Sequence, residues 1–210
     1  MARTKSSKRW LQRHVKDPYV RKARSDGYRS RAAFKLIEMN TGDRLLFPGA
    51  KVVDLGAAPG GWSQVAAQKL GPGGRVIAVD LLEIAPISGV TVLRGDFRQP
   101  EVRAQVAAAL GGQRADVVLS DLSPNISGIA SADQARAAEL VRAAIDFCRE
   151  HLKADGRFFC KLFQGEEFGR LFKEMKEIFK NVEIRKPGAS RGESRETYLL
   201  ARGLKGYNGQ

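Results

Sequence analysis

Apolar and polar positions follow two rhythms along this chain. Short runs rich in Val, Ile, Leu and Phe read as strands: Lys51–Leu55, Arg75–Asp80, Val90–Leu93, Ala115–Asp121 and Arg157–Phe163. Two further runs, Val182–Arg185 and Thr197–Ala201, close the series. Between them the apolar residues recur at helical spacing. Ala33, Phe34 and Ile37 give an inner face to a helix over Arg31–Asn40, with Ser30 as its expected cap. Trp62–Leu70 and a stretch near Glu101–Leu110 read as helices. So does a long segment whose apolar side is Leu140, Val141, Ala144, Ile145, Cys148 and Leu152. Ser131 and Gln134 have the spacing of a capping box at its start. Phe168, Leu171, Phe172, Met175, Ile178 and Phe179 mark one more amphipathic helix.

Strands that alternate with helices predict an α/β fold, an open, mostly parallel sheet with helices on both faces. Ligands of such sheets bind beyond the carboxyl ends of the strands. The residues that end strands are therefore the candidates for chemistry.

The first strand runs into VVDLGAAPGGW, in which Gly56, Gly60 and Gly61 permit a tight turn and close approach of a ligand. The glycine spacing is not that of dinucleotide enzymes, and no Walker lysine follows. Asp80 ends the second strand, where an acid can accept bonds from ribose hydroxyls. Asp96 follows the third, placed to meet an exocyclic amine, and Asp121 ends the fourth. This set suits an adenosine without phosphates, and S-adenosyl-L-methionine is the expected cofactor. A nicotinamide cofactor is disfavoured by the glycine spacing.

Lys161 is the residue that fits its strand least. FFCKLFQG places an ammonium among Phe158, Phe159, Cys160, Leu162 and Phe163, and a buried charge is costly unless paired. A cleft at the sheet edge is the natural outlet. If Phe159, Cys160, Leu162 and Phe163 all surround it, they bias it toward the neutral amine.

Charge adds a partner. Of the net +13 over 210 residues, residues 1–35 hold +10, from 12 Lys/Arg against Asp17 and Asp26. Trp10, Tyr19 and Tyr28 are interleaved with these charges, which suits a single-stranded nucleic acid. No apolar run is long enough to span a bilayer, and the first residues lack the apolar core of a secretory signal. Cys148 and Cys160 read as reduced core thiols, and no metal-ligand spacing occurs. A cytoplasmic, monomeric protein without a metal is expected. The expected organisation is a basic RNA-binding extension over 1–30, a catalytic domain over 31–203 and a tail over 204–210.

The segments GYRSRAAFKL, DLGAAPGGWSQ, SDLSPN, CKLFQG and SRGESRETY together resemble the FtsJ/RrmJ-type ribosomal RNA 2′-O-ribose methyltransferases, from about Arg9 to Ala201. The resemblance implies a Rossmann-like methyltransferase fold, seven strands with the last antiparallel. It implies a catalytic set of Lys35, Asp121, Lys161 and Glu196, and cofactor contacts at Gly60, Trp62, Asp80, Asp96 and Asp121. The implied substrate is a uridine ribose in the aminoacyl-tRNA-binding loop of large-subunit ribosomal RNA, within the large ribosomal subunit. Relatives with the same four residues act on transfer RNA or messenger RNA caps. A non-catalytic RNA-binding assembly factor is the competing reading, which the intact four-residue set disfavours. Basic residues Arg185, Lys186, Arg191 and Arg195 are expected to add a second RNA contact near the cleft.

Overall fold

Strands apolar on both faces need cover on both sides. The structure, a computed structural model, describes residues 17–124, 127–190 and 194–206. In chain order the elements are α1 (Pro18–Ser25), α2 (Ala32–Asp43), β1 (Lys51–Leu55), α3 (Gly61–Leu70), β2 (Arg75–Asp80), β3 (Val90–Arg94) and α4 (Pro100–Ala109). They continue with β4 (Ala115–Ser120), α5 (Ala130–His151), β5 (Leu152–Phe163), α6 (Glu166–Ile178), β6 (Phe179–Arg185) and β7 (Glu196–Leu204).

The seven strands form one sheet in the order β3-β2-β1-β4-β5-β7-β6. Only β7 runs antiparallel to its neighbours, so the last strand is the reversed one. The fold is the Rossmann-like methyltransferase arrangement. Because the chain returns from edge strand β3 to β4 beside β1, the order reverses between β1 and β4. That switch point opens a crevice at the carboxyl ends of both strands.

Alternation along each strand sorts the core into two layers. Val53, Leu55, Val118, Phe158 and Cys160 pack under α4, α5 and α6. Val52, Val117, Leu119, Phe159 and Leu200 pack under α2 and α3, with Trp62. Phe159 is fully buried, 5.4 Å from the Trp62 ring and 5.0 Å from that of Tyr198.

Several local expectations change. Helix α1 lies inside the segment expected to be an extension. Asp17 caps it, its side chain accepting from the Tyr19 N–H at 3.0 Å, and Pro18 sits at its first turn. It packs through Ala23 against Phe34 of α2. Ser30 does not cap α2: Arg31 precedes the helix without a side-chain cap bond, and the Ser30 hydroxyl faces Gly61. Nor do Ser131 and Gln134 form a capping box, because α5 starts at Ala130. Asp133 instead accepts from the Ser127 and Gly128 N–H groups, at 2.8 and 3.1 Å, and Gln134 accepts from Glu166 of α6 at 3.4 Å. Strand β5 begins at Leu152 rather than Arg157, and its pairing with β4 shifts register between Ala115 and Val117.

Phe159→Ala should cost about 3–5 kcal/mol of folding stability, read as a lower denaturant midpoint, since it removes a stacked ring from a closed site.

Candidate active site

The glycine loop between β1 and α3 is held by the acid that ends β2. The Asp80 carboxylate accepts from the Ala58 N–H at 2.9 Å and the Leu82 N–H at 2.8 Å. Each oxygen keeps a lone pair for a further donor, as a ribose contact requires. Gly60 has φ 103°, and a Cβ there would lie 2.6 Å from Ile87 Cδ1. Beyond it, the first turn of α3 presents N–H groups without intrahelical partners.

The other proposed cofactor residues differ in what they leave free. The Trp62 side chain turns inward, its indole N–H donating to the Ala32 carbonyl at 2.7 Å. Any cofactor contact at Trp62 falls to its backbone. Asp96 is bound by Arg98 through both carboxylate oxygens, with a shortest contact of 2.6 Å. The Arg98 hydrogen bonds outweigh partial burial and hold the Asp96 carboxyl below its usual range.

Two features escaped the sequence reading. Leu81 and Leu82, next after Asp80, are 62% and 66% exposed at the crevice edge, apolar cover of the kind a flat base stacks on. Asp54 lies fully buried beneath the glycine loop. The Ser63 hydroxyl donates to its Oδ2 at 2.6 Å, and its Oδ1 has no partner among the described residues. Burial pushes the Asp54 carboxyl up to about 7. The Ser63 bond offsets part of this, and the carboxylates of Asp121 and Asp80 add to it.

Lys35, Asp121, Lys161 and Glu196 come together at the carboxyl edge of the sheet. Lys161 Nζ lies 2.9 Å from the Asp121 carbonyl and 3.1 Å from its Oδ1. Lys35, brought in on the inner face of α2, lies 2.6 Å from Glu196 Oε1. Both ammonium groups are nearly enclosed, the two lysines being 7% and 9% exposed. Tyr198 joins the pairs: its hydroxyl accepts from Lys35 Nζ at 2.9 Å and donates to Asp121 Oδ1 at 3.3 Å. Burial, reinforced by the charges of Asp121 and Glu196, raises the Tyr198 phenol far above its usual value, so it remains a donor. Burial pushes the Glu196 carboxyl up, but the charge and hydrogen bond of Lys35, joined by Ser190 and Lys161, together outweigh it and the net shift is downward.

The register explains the meeting. Lys161 pairs directly with Tyr198 across β5 and β7, and Phe163 with Glu196, so all four share a face. Cys160 and Leu162 point to the opposite layer, so they do not surround the lysine as expected. Its apolar neighbour is Phe163, whose ring centroid is 5.7 Å from Nζ. Asn125 of the SDLSPN segment lies outside the described residues.

The Asp54 carboxyl holds its proton to higher pH when folded than its ordinary value of 3.8 allows. Its contribution to stability is therefore present at low pH and is lost as pH rises from about 4 through about 7. In Asp54→Asn that loss should vanish, flattening the pH dependence of the unfolding free energy, read by denaturant titration between about pH 4 and about pH 7, by up to about 1.4 kcal/mol per pH unit relative to the parent. Tyr198→Phe should keep cofactor affinity by calorimetry and slow methyl transfer about tenfold or more, the scale of a hydrogen bond to a charged group.

A family model described as FtsJ-like methyltransferase matches residues 28–204. The ribosomal RNA large subunit methyltransferase E of Marinobacter nauticus is 54% identical, over 98% of this chain and 99% of its own. That of Dechloromonas aromatica is 52% identical, over 98% and 100%. Among solved structures, a ribosomal RNA methyltransferase from Plasmodium falciparum superposes with a TM-score of 0.76 at 26% identity, covering 84% of this chain and 98% of that one. Aeropyrum pernix fibrillarin, solved with natively bound S-adenosyl-L-methionine, shares the fold at a TM-score of 0.58 and 18% identity, over 83% and 75%. With most of its length matched by the family model and half its residues identical to full-length relatives, the chain belongs to the FtsJ-like methyltransferase family.

Proposed function

We propose that this protein methylates the ribose 2′-hydroxyl of a uridine in large-subunit ribosomal RNA, in the aminoacyl-tRNA-binding loop of the assembling large subunit. The cofactor is S-adenosyl-L-methionine, which supplies an activated methyl group. The observation that carries the reading is the cluster of Lys161, Asp121, Lys35 and Glu196 around Tyr198, set beside the glycine loop. The names of the two relatives above point to large-subunit ribosomal RNA. The uridine and its loop follow from the motif resemblance.

In this reading Gly60, the backbone at Trp62, Asp80 and Asp96 hold the cofactor, and Asp121 borders its methionine part. Asp96 must share its carboxylate between Arg98 and the adenine amine. Lys161 spends two contacts on Asp121 and keeps one direction for the ribose oxygen. It acts there in one of two ways. As an amine it takes the hydroxyl proton; as an ammonium it steadies the oxygen as charge develops. A rate that rises with pH through the ionisation of Lys161 marks the first. Lys35 and Glu196, fixed by their own pair, position the ribose.

RNA is received on the basic side of the crevice. Arg21, Lys22 and Arg24 of α1 are exposed, as are Lys186 and Arg195. Arg185 is not free for this role, since Asp43 takes its guanidinium at 2.8 and 2.9 Å. Arg191 and residues 1–16 lie outside the described residues. No described helix is long and apolar enough to cross a membrane, and no described group of His, Cys, Asp and Glu could hold a metal ion. A cytoplasmic monomer fits this reading.

The test is transfer of labelled methyl to undermodified large subunits and, in parallel, to transfer RNA, with the modified ribose mapped. Methylation of one large-subunit uridine is expected. Labelling of transfer RNA alone would redirect the substrate, and no labelling of either would favour an assembly factor. Lys161→Ala should lose at least about 10²-fold in rate while calorimetric cofactor affinity survives.

A further inference from the structure

The segment Tyr28–Arg31, between α1 and α2, touches both halves of the proposed site. On one side, the Arg29 guanidinium crosses to two loops. Its Nη1 donates to the Ala85 carbonyl at 2.6 Å and the Pro59 carbonyl at 3.3 Å, and its Nη2 to the Pro86 carbonyl at 2.6 Å. Pro59 belongs to the glycine loop that carries Gly60, and Ala85 and Pro86 to the loop that leaves Asp80. The Arg29 side chain also closes over Gly60, its Cδ 3.3 Å from where a Cβ would stand. Its backbone is anchored as well: the Arg29 N–H donates to Gln64 Oε1 at 3.1 Å, and Gln64 Nε2 donates to the Gly27 carbonyl at 2.8 Å.

On the other side, Arg31 pairs with Asp17, the cap of α1, and donates to the Ala189 carbonyl between β6 and β7. Glu38 adds a second tie to that loop, accepting from the Gly188 and Ala189 N–H groups at 2.7 and 3.1 Å. Helix α1 and the β6–β7 loop carry the exposed basic residues assigned to RNA above, Arg21, Lys22, Arg24, Lys186 and Arg195. The strap is thus fastened to the cofactor loops by Arg29 and to the basic surfaces by Arg31, two residues apart.

We infer that Arg29 is a positioning residue that sets the spacing of the two cofactor loops, and so makes cofactor affinity depend on whether RNA occupies the basic face. The inference rests on the proposed reading, in which those loops hold the cofactor and that face holds RNA. A guanidinium is a rigid planar fork of donors that can bridge carbonyls of different loops at once, whereas a lysine ammonium has no such fork. RNA that fixes α1 and the β6–β7 loop also fixes the strap, which lowers the ordering cost of closing the loops on cofactor. The coupling is reciprocal: cofactor must tighten RNA binding by the same factor.

The experiment measures the affinity of the full chain for S-adenosylhomocysteine by calorimetry, with and without undermodified large subunits, for the parent, Arg29→Lys and Gln64→Ala. In the parent, subunits should tighten binding roughly fivefold or more, the lower end of typical couplings. In Arg29→Lys, affinity without RNA should fall several-fold and the tightening should disappear, while cofactor-free binding to subunits and Tm stay near the parent values. Saturating cofactor should restore kcat, so the defect appears in KM. Gln64→Ala, which loosens the strap without touching the guanidinium, should move the same readouts less far, and it covers the case in which Arg29→Lys does not fold. Parent-like affinity and tightening in both variants would overturn the inference, as would a parent that shows no tightening. Loss of subunit binding by cofactor-free Arg29→Lys would make Arg29 an RNA contact instead, and also overturn it. Failure of the methylation reading shows separately, as a parent that labels no ribosomal RNA.

Discussion

Two lysine ammonium groups lie almost out of water at one edge of the sheet, and much of the site's architecture follows from keeping them paired. An unpaired buried charge costs several kcal/mol. Lys161 meets the carboxylate and the carbonyl of Asp121, and Lys35 meets Glu196. The four residues come from α2, β5, β7 and the position just after β4, so helix placement, parallel pairing and antiparallel pairing must all be right together. Tyr198 makes the two pairs one network, since its single hydroxyl accepts from one and donates to the other. A shift of β7 by one residue would turn Tyr198 and Glu196 to the far face and leave Lys35 without either partner.

The neighbouring half of the crevice has the opposite problem, an excess of acids. Asp54, Asp80 and Asp121 stand at the ends of adjacent strands β1, β2 and β4, and burial together with the other two carboxylates raises the Asp54 carboxyl. Such a crevice is matched to a ligand that brings positive charge, and the cofactor carries both a sulfonium and an amino group. Asp121 stands where the two halves meet, paired with Lys161 on one side and raising the Asp54 carboxyl on the other.

The strands and the glycine loop were legible in the chain because their signals are local: period-two apolar runs, turn glycines and acids at strand ends. The four charged residues were identified by motif resemblance, and the structure shows how they meet. Tyr198 closes the SRGESRETY segment, but nothing there singled it out for a role. In ETYLL it is an ordinary strand residue, and only its register opposite Lys161 gives its hydroxyl two charged partners. Asp54 looked like part of a turn motif, since its burial depends on helix α3 closing over it. Helix α1 was hidden by its density of charge, although Asp17-Pro18 is a helix-start signal. The caps at Ser30 and Ser131 were misread because spacing alone does not say where a helix begins. Arg29 reaches carbonyls 30 to 57 residues away, a separation no pattern in the chain encodes.

The position of Lys161 in a strand, rather than in a loop, now has a physical reason. Phe158, Cys160 and Leu162 anchor β5 in the layer under α5 and α6, so the strand cannot rotate without disrupting that core. Phe159, in the other row, is stacked between Trp62 and Tyr198 and fixes the same strand from the opposite side. The lysine between them inherits this rigidity. Its bond to the Asp121 carbonyl ties it also to the backbone at the end of β4, which moves only if the sheet moves. A nucleophile must be held close to the carbon it attacks, and effective concentration falls steeply with misplacement. Two core layers and two strand ends therefore fix the Lys161 side chain that, in the proposed reading, meets the ribose oxygen, and the cost of burying it is offset by the same carboxylate that orients it.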